Sequence, residues 1–181
     1  SRGNAVYIES GKTAILIDAG FSGKESAARL HSVGRDLHAV RALCLTHEHK
    51  DHISGVGVIS RRHNIPVFAN PATFAAGEER LGALFARKEF DTGNVVEIDD
   101  LQVRSFRVSH DTADPVGFII SDGRSSLGYC TDTGKVSHLM AQRLRTCNAL
   151  ILEFNHNLEM LKNGPYPLPL QQRVRSNMGH L

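Results

Sequence analysis

Residues 47 to 52 read His47-Glu48-His49-Lys50-Asp51-His52, which places four metal-ligating side chains within six positions. The run follows directly on Ala42 to Leu45, a short apolar stretch with the length and flanks of a buried strand. Imidazoles and carboxylates converge on one point only when a rigid element presents them, so the cluster demands a packed fold with the group at a strand mouth. In extended backbone, positions 47 and 49 face the same way, and both imidazoles can reach one ion. As the chain turns into a helix, Asp51 and His52 swing towards a second ion. The competing reading is a polar helix N-terminus with Asp51 as its cap.

Composition agrees with a packed fold. A chain of 181 residues that is 41% hydrophobic and 22% charged fits one domain, residues 1–181, and excludes disorder, coiled coil and collagen. The formal net charge of +2 gives no polybasic field, so any hold on a polyanion has to be local. No run of eighteen apolar residues is present, hence no membrane span is expected. Cys44, Cys130 and Cys147 are odd in number and widely spaced, which argues against a disulfide framework and suits a reducing cytoplasm. The chain opens Ser1-Arg2 without Met and stops at His180-Leu181, so both ends read as cuts through a longer sequence.

The pattern predicts strands over 5–9 and 13–17, then a helix from Ser22, whose spacing to Glu25 is that of a capping box, to Gly34. A strand over 42–45 precedes the cluster. A helix over 53–62, a strand over 67–69 and a helix over 71–85 follow. Strands are expected over 95–98, 101–108, 117–121 and 126–131, with turns at Asp99-Asp100 and Asp122-Gly123. The in/out phase shifts between Val103 and Phe106, as a bulge would make it. A helix over 137–145, a strand over 149–153 and a proline-broken tail complete an α/β pattern in which helices cover sheets.

Two ions need more ligands than the run supplies. His110 follows the strand ending in Val108, and Asp132 follows the strand ending in Cys130. A carboxylate has two oxygens and can bridge two cations, which makes Asp132 the natural shared ligand.

The His-x-His-x-Asp-His run, His110, Asp132 and His180 together resemble the metal-binding pattern of the metallo-β-lactamase-fold hydrolases. Asp18, in Leu-Ile-Asp-Ala-Gly, matches the early structural Asp of that family. The segments 109–117, 153–157 and 164–170 are similar to motifs of its YycJ/WalJ-like exonuclease branch. The resemblance implies an αββα sandwich, truncated at both ends, without the strand that precedes Ser1 and the elements that follow the last His. It implies that His47, His49 and His110 hold one ion, that Asp51, His52 and His180 hold a second, and that Asp132 bridges them. Glu153 takes a structural role beside Asp18.

Two divalent ions about 3.5 to 4 Å apart would share a hydroxide and aim it at a phosphodiester, with Asp51 helping to orient it. His-rich donors suit Zn or Fe, and the carboxylates allow Mn. His156 can protonate the leaving oxygen, or serve only as a hydrogen-bonded loop histidine. Tyr166, Arg173 and Arg175 form a basic and aromatic group suited to hold a backbone phosphate and stack a base; a solvated helix face is the competing reading for the arginines. The expected activity, implied by the branch, is cytoplasmic 5′ to 3′ exonuclease action on DNA in repair. RNA processing, thioester or lactam hydrolysis, and a non-catalytic nucleic-acid-binding scaffold are the alternatives.

Overall fold

The computed structural model describes residues 3–154 and 157–181. Strands β1 (Val6–Glu9), β2 (Ala14–Ile17), β3 (Val40–Cys44), β4 (Val67–Ala69) and β5 (Arg87–Glu89) form the first sheet, in that order. β1 pairs antiparallel with β2, and the pairs from β2 to β5 are parallel. Strands β6 (Val95–Ile98), β7 (Leu101–Arg107), β8 (Val116–Ser121), β9 (Ser126–Cys130) and β10 (Ala149–Leu152) form the second sheet. It is antiparallel except where β10 joins β9. Helices α1 (Gly23–Ser32), α2 (Lys50–Ile53), α3 (Val56–His63) and α4 (Pro71–Leu81) lie between strands of the first sheet, and α5 (His138–Leu144) lies between β9 and β10. Helices α6 (Leu158–Asn163) and α7 (Leu168–Val174) follow β10.

Side-chain alternation sorts the apolar residues into three layers. Leu16 of β2 and Leu43 of β3 pack with Leu30, Ile59 and Phe74 of the helices on the outer face of the first sheet. Their strand neighbours Ile15, Ile17, Ala42 and Cys44 meet Val103, Phe118 and Tyr129 of the second sheet. Phe106 and Cys130 pack with Met140 and Leu144 of α5 on the far face. The arrangement is an αββα sandwich. Because both faces of β2 and β3 are covered, these strands read as nearly continuous apolar runs.

Several sequence expectations shift for identifiable reasons. The helix expected over 53–62 is two helices, broken at Gly55, whose amide donates to the Ala19 carbonyl. A Cβ on Gly55 would lie 1.9 Å from the Phe21 carbonyl oxygen, so the close approach of the 19–21 loop forces the break. The helix expected to reach Phe85 ends at Leu81, capped by Gly82 at φ 59°. β5 carries exposed Arg87, Lys88 and Glu89 and therefore has no apolar alternation to read. The expected bulge near Val103 is absent, since β7 pairs with β8 in continuous register from Gln102 to Arg107. The phase shift arises because Val103 faces the inter-sheet core while Phe106, on the other face, is buried under α5. A register shift falls instead between Ala14 and Ile15.

Phe118 is buried in the inter-sheet layer and meets the Phe90 ring edge-on at 6.1 Å between centroids. Phe118→Ala is expected to cost about 3 to 5 kcal/mol of stability. The check is a lower urea midpoint with an unchanged slope.

Candidate metal centre

The polar groups gather where strands of both sheets end. Asp18 follows β2, Thr46 to His49 follow β3, His110 follows β7, Asp132 follows β9 and Glu153 follows β10. Two of these residues, Asp18 (φ 58°) and Asp132 (φ 42°), adopt the left-handed backbone that most residues with a Cβ avoid. Asp18 is fully buried. Its carboxylate accepts the Thr46 amide at 2.8 Å and the Thr46 hydroxyl at 2.7 Å, and it pairs with His52 Nδ1 at 2.8 Å. With Nδ1 held there, His52 Nε2 points at Asp132 Oδ2, 2.9 Å away. Burial alone would lower the His52 pKa, but Asp18 and Asp132 overcome it and push it up to about 10.

His47, His49, His110 and Asp132 bring donor atoms within 4.8 Å of one another. The imidazole pairs His47–His49, His49–His110 and His47–His110 stand 4.8 to 5.0 Å apart between centroids. His49 Nδ1 and His110 Nε2 approach to 3.2 Å, while His110 Nδ1 meets the Gly179 carbonyl at 3.0 Å. His47 Nε2 is buried with no hydrogen-bond partner, and Asp132 Oδ2 lies 3.4 Å from it. Burial, with His47 and His110 beside it, brings the His49 pKa down to about 4, and burial and His47 lower that of His110. Imidazoles directed at a carboxylate, one with an orphaned buried nitrogen, are a donor set that fits a divalent cation.

A second group, Asp132, Glu153 and His180, also lies within 4.8 Å. His180 Nδ1 is 3.1 Å from Glu153 Oε2 and 3.6 Å from Asp132 Oδ1. That hydrogen bond to Glu153 is the main reason the His180 pKa is raised. Glu153 Oε1 accepts the Thr133 amide at 2.5 Å. Asp132 thus faces His47, His52 and His110 with one oxygen and His180 with the other. Burial alone would raise its pKa, but His47 and His52 hold the carboxyl far below the usual range. Asp51 Oδ2 lies 3.9 Å from His52 Nε2, and the Asn4 side chain bridges the two at 3.1 and 2.8 Å.

His49, Asp51, Asp132, Glu153 and His180 border a cleft of about 510 Å³, lined also by Asn4, Lys50, Thr131 and Arg173. Asp111 Oδ2 and Oδ1 accept from the Arg173 guanidinium at 2.5 and 3.1 Å. The structure therefore brings the seven sequence-derived metal candidates and Arg173 to one place. Tyr166, which is 53% exposed, and Arg175, also exposed, are not among the cleft-lining residues. Both lie where α7 and its approach turn towards solvent, so the expected aromatic stacking group is not assembled there. His156 falls outside the described residues. Sequence reasoning missed Asn4, Lys50 and Asp111, and gave Glu153 only a structural part. Asp111 was open to notice, since it directly follows His110, whereas nothing about an asparagine before β1 signals the site.

The amide of Asp18→Asn would meet either the Thr46 donors or His52 Nδ1 with a mismatched N–H. This variant is expected to bind metal about 10- to 100-fold more weakly, read by competition with a chromogenic chelator. Unchanged affinity would remove Asp18 from the orientation of His52.

A model of the beta-lactamase superfamily domain matches residues 13–181. The exodeoxyribonuclease YycJ of Bacillus anthracis is 37% identical over 183 residues, covering 100% of this chain and 69% of the relative. The exodeoxyribonuclease WalJ of Streptococcus pneumoniae is 37% identical over 185 residues with the same coverage. The crystal structure of Zn(2+)-bound PqqB from Methylobacterium extorquens superimposes with a TM-score of 0.76 at 19% identity, over 100% of this chain and 70% of that one. The αββα sandwich, the histidine and aspartate cluster at its strand ends and these likenesses establish that the chain belongs to the metallo-β-lactamase superfamily of metal-dependent hydrolases.

Proposed function

We propose that this chain, as one metallo-β-lactamase-fold domain, is a phosphodiesterase that holds two divalent ions, Zn, Mn or Fe, and degrades DNA exonucleolytically from the 5′ end. The observation that carries the reading is a polar cleft lined by His49, Asp51, Asp132 and His180 together with Lys50 and Arg173, with His47, His52 and His110 directed at the same Asp132 carboxylate. The whole-chain likeness to two exodeoxyribonucleases supports DNA ahead of RNA. A cytoplasmic setting suits the three free cysteines, and among the described residues no helix is long and apolar enough to cross a membrane.

In this reading His47, His49 and His110 hold one ion, Asp51, His52 and His180 the other, and Asp132 both. When bound, the ions supply a water acidic enough to lose its proton near neutral pH and positive charge for the developing phosphorane oxygens. Asp18 keeps His52 Nδ1 protonated and so leaves Nε2 as the donor. Glu153 does the same for His180, accepting at Nδ1. Asp51, with the Asn4 amide against Oδ2, is placed to accept a proton from the attacking water and to orient it. His156 is the proposed proton donor to the leaving oxygen. Arg173, fixed by two bonds to Asp111, offers a positioned cation to a phosphate.

The protein supplied with Mn²⁺ is expected to shorten 5′-phosphorylated DNA on a gel. EDTA should stop the reaction and fresh Mn²⁺ restore it. His49→Ala or Asp132→Ala is expected to lower the rate by at least about 100-fold, as loss of a metal ligand does. No digestion with Zn²⁺, Mn²⁺ or Fe²⁺, alongside turnover of a thioester, would move the chain to the thioester-hydrolase reading.

A further inference from the structure

Two cations line the cleft, and they come from different elements. Lys50 is the first residue of α2, set between His49 and Asp51, and its side chain is exposed. Arg173 belongs to α7 and is drawn in by Asp111, whose Oδ1 also stands 3.4 Å from His110 Nε2. The guanidinium is held in a two-bond fork before any substrate arrives, so little side-chain entropy remains to be lost on binding. No Phe, Tyr or Trp is found among the described residues that line the cleft. Readers of nucleobases use planar stacking platforms, whereas readers of the sugar-phosphate backbone use placed cations. With a formal net charge of only +2, the chain has no general field to replace such local contacts.

Resting on the nuclease reading above, we propose that Lys50 and Arg173, the latter aimed by Asp111, form a two-point clamp for backbone phosphates of a single nucleic-acid strand. The strand is gripped without contact to its bases, so uptake is blind to sequence. Asp111 is a positioning residue here, and its sign is diagnostic. Removing an acidic charge from a cleft that binds a polyanion should tighten binding if only net charge matters. It should weaken binding if that acid is what aims Arg173.

The test is fluorescence anisotropy of the metal-loaded protein with cleavage-resistant phosphorothioate single strands of dT, dA and dC, across a salt series. The three strands are expected to bind within about twofold of one another. Lys50→Gln and Arg173→Gln should each raise Kd about fivefold and reduce the slope of log K against log salt by about 0.7, the share of one phosphate on a single strand. Arg173→Lys, which keeps the charge and loses the fork, should fall between. Asp111→Asn should weaken binding with unaltered metal content, and Arg124→Gln, on the β8–β9 turn, should change nothing. A preference above about tenfold for one base, unchanged slopes in Lys50→Gln and Arg173→Gln, or tighter binding by Asp111→Asn would each overturn the clamp. Binding as expected without digestion of ordinary DNA would leave the clamp standing and remove the nuclease reading, whereas digestion with unchanged slopes would do the reverse.

Discussion

The buried carboxylate of Asp18 is the constraint on which the rest of the site depends. An uncompensated carboxylate in this position would cost several kcal/mol, and it is tolerated because three donors, the Thr46 amide, the Thr46 hydroxyl and His52 Nδ1, close around it. Its φ of 58° turns the chain sharply at the end of β2 so that the side chain reaches across to the exit of β3. The same three bonds fix the end of β3, the start of α2 and the tautomer of His52. A change at Asp18 is therefore transmitted to His52 Nε2 and on to Asp132, although Asp18 does not border the cleft.

Around that anchor the histidines are crowded more closely than mutually repelling cations would allow. Imidazole centroids lie 4.0 to 5.1 Å apart through the cluster, and the two nitrogens of His49 and His110 face each other at 3.2 Å. Positive charge is favoured where carboxylates stand close, with His52 between Asp18 and Asp132 and His180 against Glu153. By contrast, His49 and His110 are kept neutral by burial and by their neighbours. This division matches what cation binding needs, because lone pairs must be open on one side while carboxylates supply negative charge on the other.

Much of this was legible in the sequence because the decisive residues are local. His47, His49, Asp51 and His52 lie within one strand exit, and the period-2 burial of β2, β3 and β8 comes directly from alternation or, where both faces are covered, from continuous apolar runs. What was not legible depends on contacts between distant segments. Asn4 enters the site only because β1 pairs with β2 and its preceding loop meets Asp51, and Glu153 becomes a partner of His180 only once β10 lies beside β9. The false bulge in β7 has the same origin, since the helix that buries Phe106 is encoded in a later segment, His138–Leu144. Tyr166 and the arginines were grouped by proximity in sequence, yet α7 turns Arg173 to the cleft and leaves Tyr166 and Arg175 in solvent.

The two donor groups differ in what assembles them. His47, His49, His110 and Asp132 stand at the exits of β3, β7 and β9, so packing the two sheets together is sufficient to bring them into register. His180 has no strand behind it. Its segment is laid against the loop after β9, where a Cβ on Gly134 would come within 2.4 to 2.5 Å of backbone atoms of residues 176 to 179. The segment is then tied by the Gly179 carbonyl to His110, by Arg173 to Asp111 and by His180 to Glu153. Each tie ends on a residue of the centre or its immediate neighbour. The second donor group is consequently built on the first, and the segment that closes it also carries Arg173 into the cleft wall. Assembly of the second donor group and assembly of the cleft wall that carries Arg173 are, in this chain, one packing event.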